Sequence, residues 1–236
     1  MSQNKIIITA IIAVILCSCV SLVGGLGLGF GLNEIINLPG LASVRLASHQ
    51  PAAPGALLYA DDFNAERWEV IKDADHRKGY DNGRYFILAE TPGFDYWSTA
   101  GQTFSDFALD IEINQLAGPN NNNYGVLLRY QDHRNFYKFE ISGDGYYTFT
   151  KVIDGQLLDI IPWQESNWLE PGNSPNKLRI EATGSQFTFY ANGQWLDSVA
   201  DPAFNTGDIG LVVGVFDQGG AHIAFDNLKV TAVRGQ

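Results

Sequence analysis

Trp97 in FDYWS, Tyr124 behind the run Asn120 to Asn123, and Trp163 and Trp168 in IPWQESNWLEPG set aromatic rings beside amide and charged side chains. That mixture suits a sugar, whose C–H face stacks on a ring while its hydroxyls need planar polar partners. Arg129 and Lys138 add cations. Strand alternation turns Arg129 away from Val126 and Leu128, toward a sheet face shared with Lys138, Asp110, Glu112 and Glu140. The expected ligand-binding set is Trp97, Tyr124, Arg129, Lys138, Trp163 and Trp168, and the expected ligand is a glycan or another cell-surface group. Plainer roles stand beside this one. Trp163 and Trp168 suit rim packing equally well, Arg129 and Lys138 facing acids make ordinary cross-strand ion pairs, and the Asn run suits a loop.

Catalysis has a thinner basis. Asp110 and Glu112, two apart on one strand, point the same way, as the two carboxylates of a glycosidase must when they flank a bond about 5 to 10 Å apart. No second pair accompanies them. His76, His133 and His222 stand in polar surroundings, His49 lies in a linker, and no serine occupies a G-x-S-x-G turn. Zinc-spaced His and Cys and a phosphate loop are also missing from the sequence. A non-catalytic binding module is therefore the first expectation, with a glycosidase-like enzyme and a structural or assembly domain as alternatives.

These side chains must be positioned by strands. Phe107, Leu109, Ile111 and Ile113 alternate with Ala108, Asp110, Glu112 and Asn114, a period of two that buries one face. The pattern returns at Val126–Leu128–Tyr130, Tyr137–Phe139–Ile141, Leu178–Ile180–Ala182, Phe187–Phe189 and Ile209–Leu211–Val213–Val215. Gly143-Asp144-Gly145, Asp154-Gly155, Asn192-Gly193 and Gln218-Gly219-Gly220 supply the positive φ angles of tight turns between them. Many short strands without intervening helices predict an all-β, antiparallel jelly-roll sandwich.

The order LLYADDFN, FALDIEI, YGVLLRYQDHRNFYKFEISGDGYYTFTKVIDG, NKLRIEATGSQFTFYANGQWLDSVAD, GDIGLVVGVF and FDNLKV resembles the concanavalin A-like lectin and glucanase superfamily. It is most similar to the sandwich module of exo-inulinases and bacterial surface proteins. It resembles more distantly the 3-keto-disaccharide hydrolase family, through a DDF…W opening and a late NG hairpin. The resemblance implies a fold that serves lectins, glycosidases and structural modules alike. Superfamily glucanases carry Glu-x-Asp-x-(x)-Glu on one strand, whereas here the first two acids are reversed and the third place is Asn114. The resemblance also implies a structural Ca²⁺ where first and last strands meet, with Asp62 (or Asp61) and Asp226 as its carboxylates.

With Lys5, Glu34 and Arg45 set aside, the chain after Gly55 carries 13 basic against 25 acidic residues, a net −12. That sign excludes nucleic acid as a partner, because a phosphate backbone calls for a basic surface. From Ile6 to Leu32 no residue is charged, which is long enough for a helix to span a bilayer. Lys5 before it and Glu34 after it place the bulk of the chain outside the cytoplasm. The expected organisation is a membrane anchor over 1–32, a linker over 33–56 rich in Pro, Gly, Ser and Ala, and the sandwich over 57–236. Two alternatives stay open: a lipoprotein lipidated at Cys19 of Leu16-Cys17-Ser18-Cys19, and secretion after signal cleavage. Both cysteines lie in the apolar segment, so the sandwich has no disulfide and depends on burial alone.

Overall fold

The computed structural model describes residues 55–233. The expected transmembrane helix, Cys17, Cys19 and most of the linker lie outside the described residues. Within them every regular element is a strand, and no helix is long and apolar enough to cross a membrane.

Two antiparallel sheets form. One runs β13 (Gln194–Ala200), β12 (Gln186–Ala191), β11 (Asn176–Thr183), β6 (Phe107–Ala117), β15 (Ala221–Thr231), β4 (Arg84–Ala89), β3 (His76–Asp81) and β2 (Ile71–Lys72), with β1 (Leu57–Asp61) also on β15. The other runs β10 (Gln156–Glu165), β9 (Tyr146–Ile153), β8 (Asn135–Ile141), β7 (Asn122–Asp132), β14 (Asp208–Val215) and β5 (Asp95–Thr99). The described residues therefore fold as the all-β antiparallel sandwich that their alternation requires.

The sheets are locked together by rings. Phe139 of β8 stacks on Phe189 of β12 at 4.3 Å, and Phe149 of β9 lies 5.0 Å from Phe187 and 4.7 Å from Phe189. Each such ring removes on the order of 150–250 Å² from water, which makes this contact the main apolar bond between the layers. The hairpin turns follow their residues. Asn192-Gly193 between β12 and β13 and Asp154-Gly155 between β9 and β10 take φ of 53° and 80° in both cases. Asn82-Gly83, between β3 and β4, does the same at 52° and 72°.

Period-two alternation breaks at Arg129. Its φ is +50°, and register shifts occur there against both neighbours, between Leu128 and Asp132 toward β8 and between Asp208 and Gly210 toward β14. The bulge rotates the side chain off the outer face and into the interior, where it is fully buried. Its guanidinium lies 4.9 Å from the centre of the Phe187 ring and donates to the carbonyls of Phe204 at 2.7 Å and Ser105 at 3.2 Å. The expected place of Arg129 on a ligand face is thus corrected: it is a strut between β7 and the loops before β6 and β14. Tyr124 is likewise buried among the core residues, on the Val126 side of β7.

Arg129→Met keeps the bulk but leaves two carbonyls and the Phe187 ring without their cation. Stability is expected to fall by about 2–4 kcal/mol, read from urea denaturation of the two proteins. An unchanged midpoint would show that the strut carries no load.

Candidate functional site

On β8, Tyr137, Phe139 and Ile141 face the core, so Phe136, Lys138 and Glu140 face the other side of the six-stranded sheet. On β7 the same side carries Asn123, Gly125 and Leu127; on β14, Gly210, Val212 and Gly214; on β5, Asp95 and Trp97. Four of these side chains converge. The Lys138 Nζ lies 2.5 Å from Asp95 Oδ2 and 3.0 Å from Glu140 Oε2. Asn123 Nδ2 donates to Asp95 Oδ1 at 2.9 Å and to Glu140 Oε1 at 2.7 Å.

Small residues make this convergence possible. A Cβ on Gly214 would stand 2.2 Å from Asp95 Oδ1 and 2.6 Å from Asn123 Oδ1, inside the cluster itself. Asn123 is set by its neighbour Asn122, whose Nδ2 donates to Gln115 Oε1 at 2.9 Å and whose Oδ1 accepts from Gly143 N at 3.0 Å. The Asn run is therefore not only a loop. Its second half is strand, and its last member is part of the site. Asp95 is held by its edge strand, which Gly93 N anchors to Val215 O at 2.8 Å and Lys78 Nζ anchors to the nine-stranded sheet through Trp97 O at 2.7 Å.

Lys138, Glu140 and Asn123 are nearly inaccessible, and the Asp95 carboxylate is the exposed edge of the group. Burial works against the Lys138 charge, but Glu140 and Asp95 outweigh it and hold the ammonium above the ordinary lysine value. Burial also pushes the Glu140 carboxyl up; Lys138 opposes that rise and the Asp95 charge adds to it. The arrangement offers a held cation and two carboxyl groups, the deeper of which, Glu140, is pushed up by burial, all on one sheet face.

The other expected site residues divide between this face and elsewhere. Trp97 lies on it, its ring 5.9 Å from that of Phe136. Trp163 of β10 touches Phe216, which follows β14, with ring centres 6.3 Å apart. Trp168 is exposed, but its carbonyl is bound by Asn192 at the β12–β13 turn of the opposite sheet. Asp110 and Glu112 lie on the outer face of the nine-stranded sheet, apart from Lys138. They border a shallow cavity of about 320 Å³ with Lys177, Arg179, Tyr190 and Asn227. There Arg179 meets Asp110 at 2.7 Å and Glu181 at 2.9 Å, while Lys177 meets Glu112 at 2.8 Å. The pairs with Asp110 and Glu112 are cross-strand, set by the β6–β11 register in which Arg179 faces Asp110 and Lys177 faces Glu112, while Glu181 lies two residues on from Arg179 in β11 itself. A second cavity, of about 460 Å³ beside Gln131, Phe204 and Thr206, has no titratable side chain in its lining.

Asp62 Oδ1 accepts from Asn64 N at 3.2 Å and Asp226 Oδ1 from Asn227 N at 2.7 Å, the geometry of turn caps. Among the described residues no three His, Cys, Asp or Glu side chains gather as a metal site. Asp61 is the buried acid of the pair. It accepts from Trp68 Nε1 at 3.2 Å and Phe63 N at 2.9 Å, and so holds the start of the sandwich closed.

Glu140 gives a pH signature with a defined sign. Its unfolded carboxyl ionises near the ordinary value of 4.5, while in the folded protein it ionises later. Between the two values the native state keeps a proton that the unfolded state has lost, so this group subtracts stability as pH rises. Glu140→Gln cannot titrate, and its urea midpoint should gain on wild type from the ordinary carboxylate pKa upward, then stay level. Parallel pH profiles for the two proteins would place the late proton elsewhere.

The family model described as 3-keto-alpha-glucoside-1,2-lyase-like domain matches residues 58–231. The carbohydrate binding module CBM66 from Bacillus subtilis superposes with a TM-score of 0.51 at 20% identity, covering 72% of this chain and 98% of that one. A Bacillus subtilis protein of unknown function with a galectin-like fold gives 0.60 at 12% identity, over 78% of this chain and 100% of its own. The Bacillus licheniformis beta-glucanase gives 0.57 at 11%, over 76% and 99%. At such identities the likeness is one of fold. No curated protein matches the chain.

Proposed function

The chain belongs to the 3-keto-alpha-glucoside-1,2-lyase-like domain family, and on that premise we propose that it is a membrane-anchored, extracytoplasmic carbohydrate-binding domain whose sugar site is the Lys138 face of the six-stranded sheet. The observation that carries the reading is the cluster of Lys138, Asp95, Glu140 and Asn123 on the sheet face that also bears Trp97 and Phe136. Adjacent hydroxyls of a pyranose need a donor and an acceptor at short range, and Asp95 beside Lys138 supplies both while Trp97 offers a ring to its C–H face. The two carboxylates outnumber the one ammonium, and the whole chain carries −11, so the ligand is an uncharged sugar, not an acidic one. The uncharged run from Ile6 to Leu32 supports the anchor.

The same cluster favours a second reading, elimination from a 3-keto glucoside. In such a sugar the C2 hydrogen lies next to the C3 carbonyl and is acidic. A carboxylate removes it, an enolate forms at O3, and the electron pair then expels the C1 substituent to leave a C1=C2 double bond. The departing oxygen takes up a proton. In this reading Asp95 would act as the base and Lys138 as the donor to the enolate oxygen, and the proton taken up by Asp95 would pass to the departing oxygen.

Both readings predict loss of sugar binding when the cluster is disturbed. Lys138→Met, and Gly214→Ala through the Cβ that displaces Asp95 and Asn123, should each weaken binding of neutral oligosaccharides by about tenfold or more, measured by calorimetry on the full chain. Trp168→Ala should leave it unchanged. Release of the C1 substituent from a 3-keto disaccharide, lost in Asp95→Asn, would select elimination over binding alone. Full binding by Lys138→Met would remove the cluster from the site.

A further inference from the structure

The ion pairs on the outer face of the nine-stranded sheet are ordinary, but the hollow between them is not. Arg179 opposes Tyr190 across β11 and β12, and it opposes Asp110 across β11 and β6, so these three side chains form one row over three strands. Lys177 and Glu112 form the next row, two residues along. Residues so spaced on one face of a strand stand about 7 Å apart, and the cavity of about 320 Å³ is lined by both rows.

Two backbone irregularities border it. In β15 the register shifts between Asp226, opposite Glu112, and Lys229, opposite Asp110, so three steps of β15 face two of β6. Asn227, inside that bulge, takes a φ of 54° and stands at the edge of the cavity. On the other side β12 shifts against β13 between Phe189 and Tyr190, and the turn brings Gly193, which has no side chain, to the lining.

Tyr190 is the buried member of the lining. It is 4% exposed yet belongs to neither apolar cluster of the interior. Among the described residues its hydroxyl has no hydrogen-bond partner, and the oxygen is not sealed from solvent. A buried tyrosine ordinarily finds a partner for its hydroxyl. Burial, and then the Glu181 charge, hold the phenol above its ordinary pKa, so it keeps a proton to donate.

Acceptors stand on the same lining. Arg179 takes Asp110 Oδ2 and Lys177 takes Glu112 Oε1, while no hydrogen bond among the described residues engages Asp110 Oδ1 or Glu112 Oε2. These four charges, two of each sign, cancel, so the lining favours neither an anion nor a cation. The Tyr190 ring and the methylene stems of Lys177 and Arg179 supply apolar surface. Phenol donor, carboxylate acceptors and apolar surface together match the hydroxyls and the C–H face of an uncharged sugar. Ligand pockets run from roughly 300 to 1,000 Å³, and this one, at the small end, suits a single sugar unit.

We infer that the hollow over β6, β11 and β12 is a second, independent binding site for a neutral sugar, in which Tyr190 donates to one hydroxyl and Asp110 and Glu112 accept from others. It does not rest on the Lys138 face, which belongs to the other sheet.

Maltose, lactose and sucrose offer uncharged glucose, galactose and fructose units. Titrated into the ¹⁵N-labelled full chain in detergent micelles, at least one of them should shift the amide signals of Lys177, Arg179, Tyr190 and Gly193 in a saturable manner. Tyr190→Phe keeps the ring and removes only the hydroxyl. It should raise the Kd read from those signals by about three- to tenfold, with the urea midpoint showing that the variant is folded. Lys138→Met should leave that Kd within about twofold of wild type. A folded Tyr190→Phe with an unchanged Kd would overturn the site. No saturable shift at these amides with any of the three sugars would overturn it too, whatever the Lys138 face binds. Loss of the shifts in a folded Lys138→Met would mean that one site on the other sheet moves both sets of signals, which overturns the second site and keeps the first.

Discussion

An ammonium taken out of water costs several kcal/mol unless counter-charge and hydrogen bonds replace its hydration. Lys138 is only 5% exposed on a sheet face that would ordinarily be wet, so the elements around it must supply that replacement. Glu140 comes from the same strand two residues on. Asp95 comes from the edge of the sheet and reaches Lys138 across β14 and β7. The edge strand therefore has to be held, by Gly93 on Val215 and by Lys78 on Trp97, and Gly214 has to lack a side chain. Much of the irregular detail on this side of the sandwich follows from that one requirement.

The two outer faces treat charge in opposite ways. On the nine-stranded sheet Arg179, Lys177, Asp110 and Glu112 pair across neighbouring strands in a half-exposed setting, where each pair contributes little and is screened by salt. On the six-stranded sheet the charges are withdrawn beneath aromatic side chains, where the dielectric is low and interactions are strong. Concentrating charge where water is excluded is what gives a site leverage on a ligand. That contrast, more than any cavity, separates the candidate site from the ordinary surface.

Burial of Arg129 shows how the same chemistry serves structure. A guanidinium with two carbonyl partners and a phenylalanine face fixes the loops that close one end of the sandwich. Tyr137, whose hydroxyl donates to Asp201 at 2.7 Å while Lys151 reaches the other oxygen of that carboxylate at 2.6 Å, ties a neighbouring loop in the same manner. Cations and acids thus occur on this chain in three roles, and sequence context alone does not sort them.

What the sequence determined by itself is local and periodic. Alternation at Phe107 to Ile113 and at Tyr137 to Ile141, together with Asn192-Gly193 and Asp154-Gly155, required strands, hairpins and a two-layer antiparallel fold, because those signals act over a few residues. The shared facing of Lys138 and Glu140 was legible for the same reason. Asp95 was open to detection only as the residue two before Trp97, and Asn123 hid in a run that reads as a loop. Their meeting with Lys138 depends on strand order, which joins β5 to β8 through β14 and β7 across more than forty residues of chain. Only the tertiary structure also revealed the inward turn of Arg129, since one positive φ reverses every inference from alternation beyond it, and the separation of Asp110 and Glu112 from Lys138, since two strands with the same pattern can belong to different sheets.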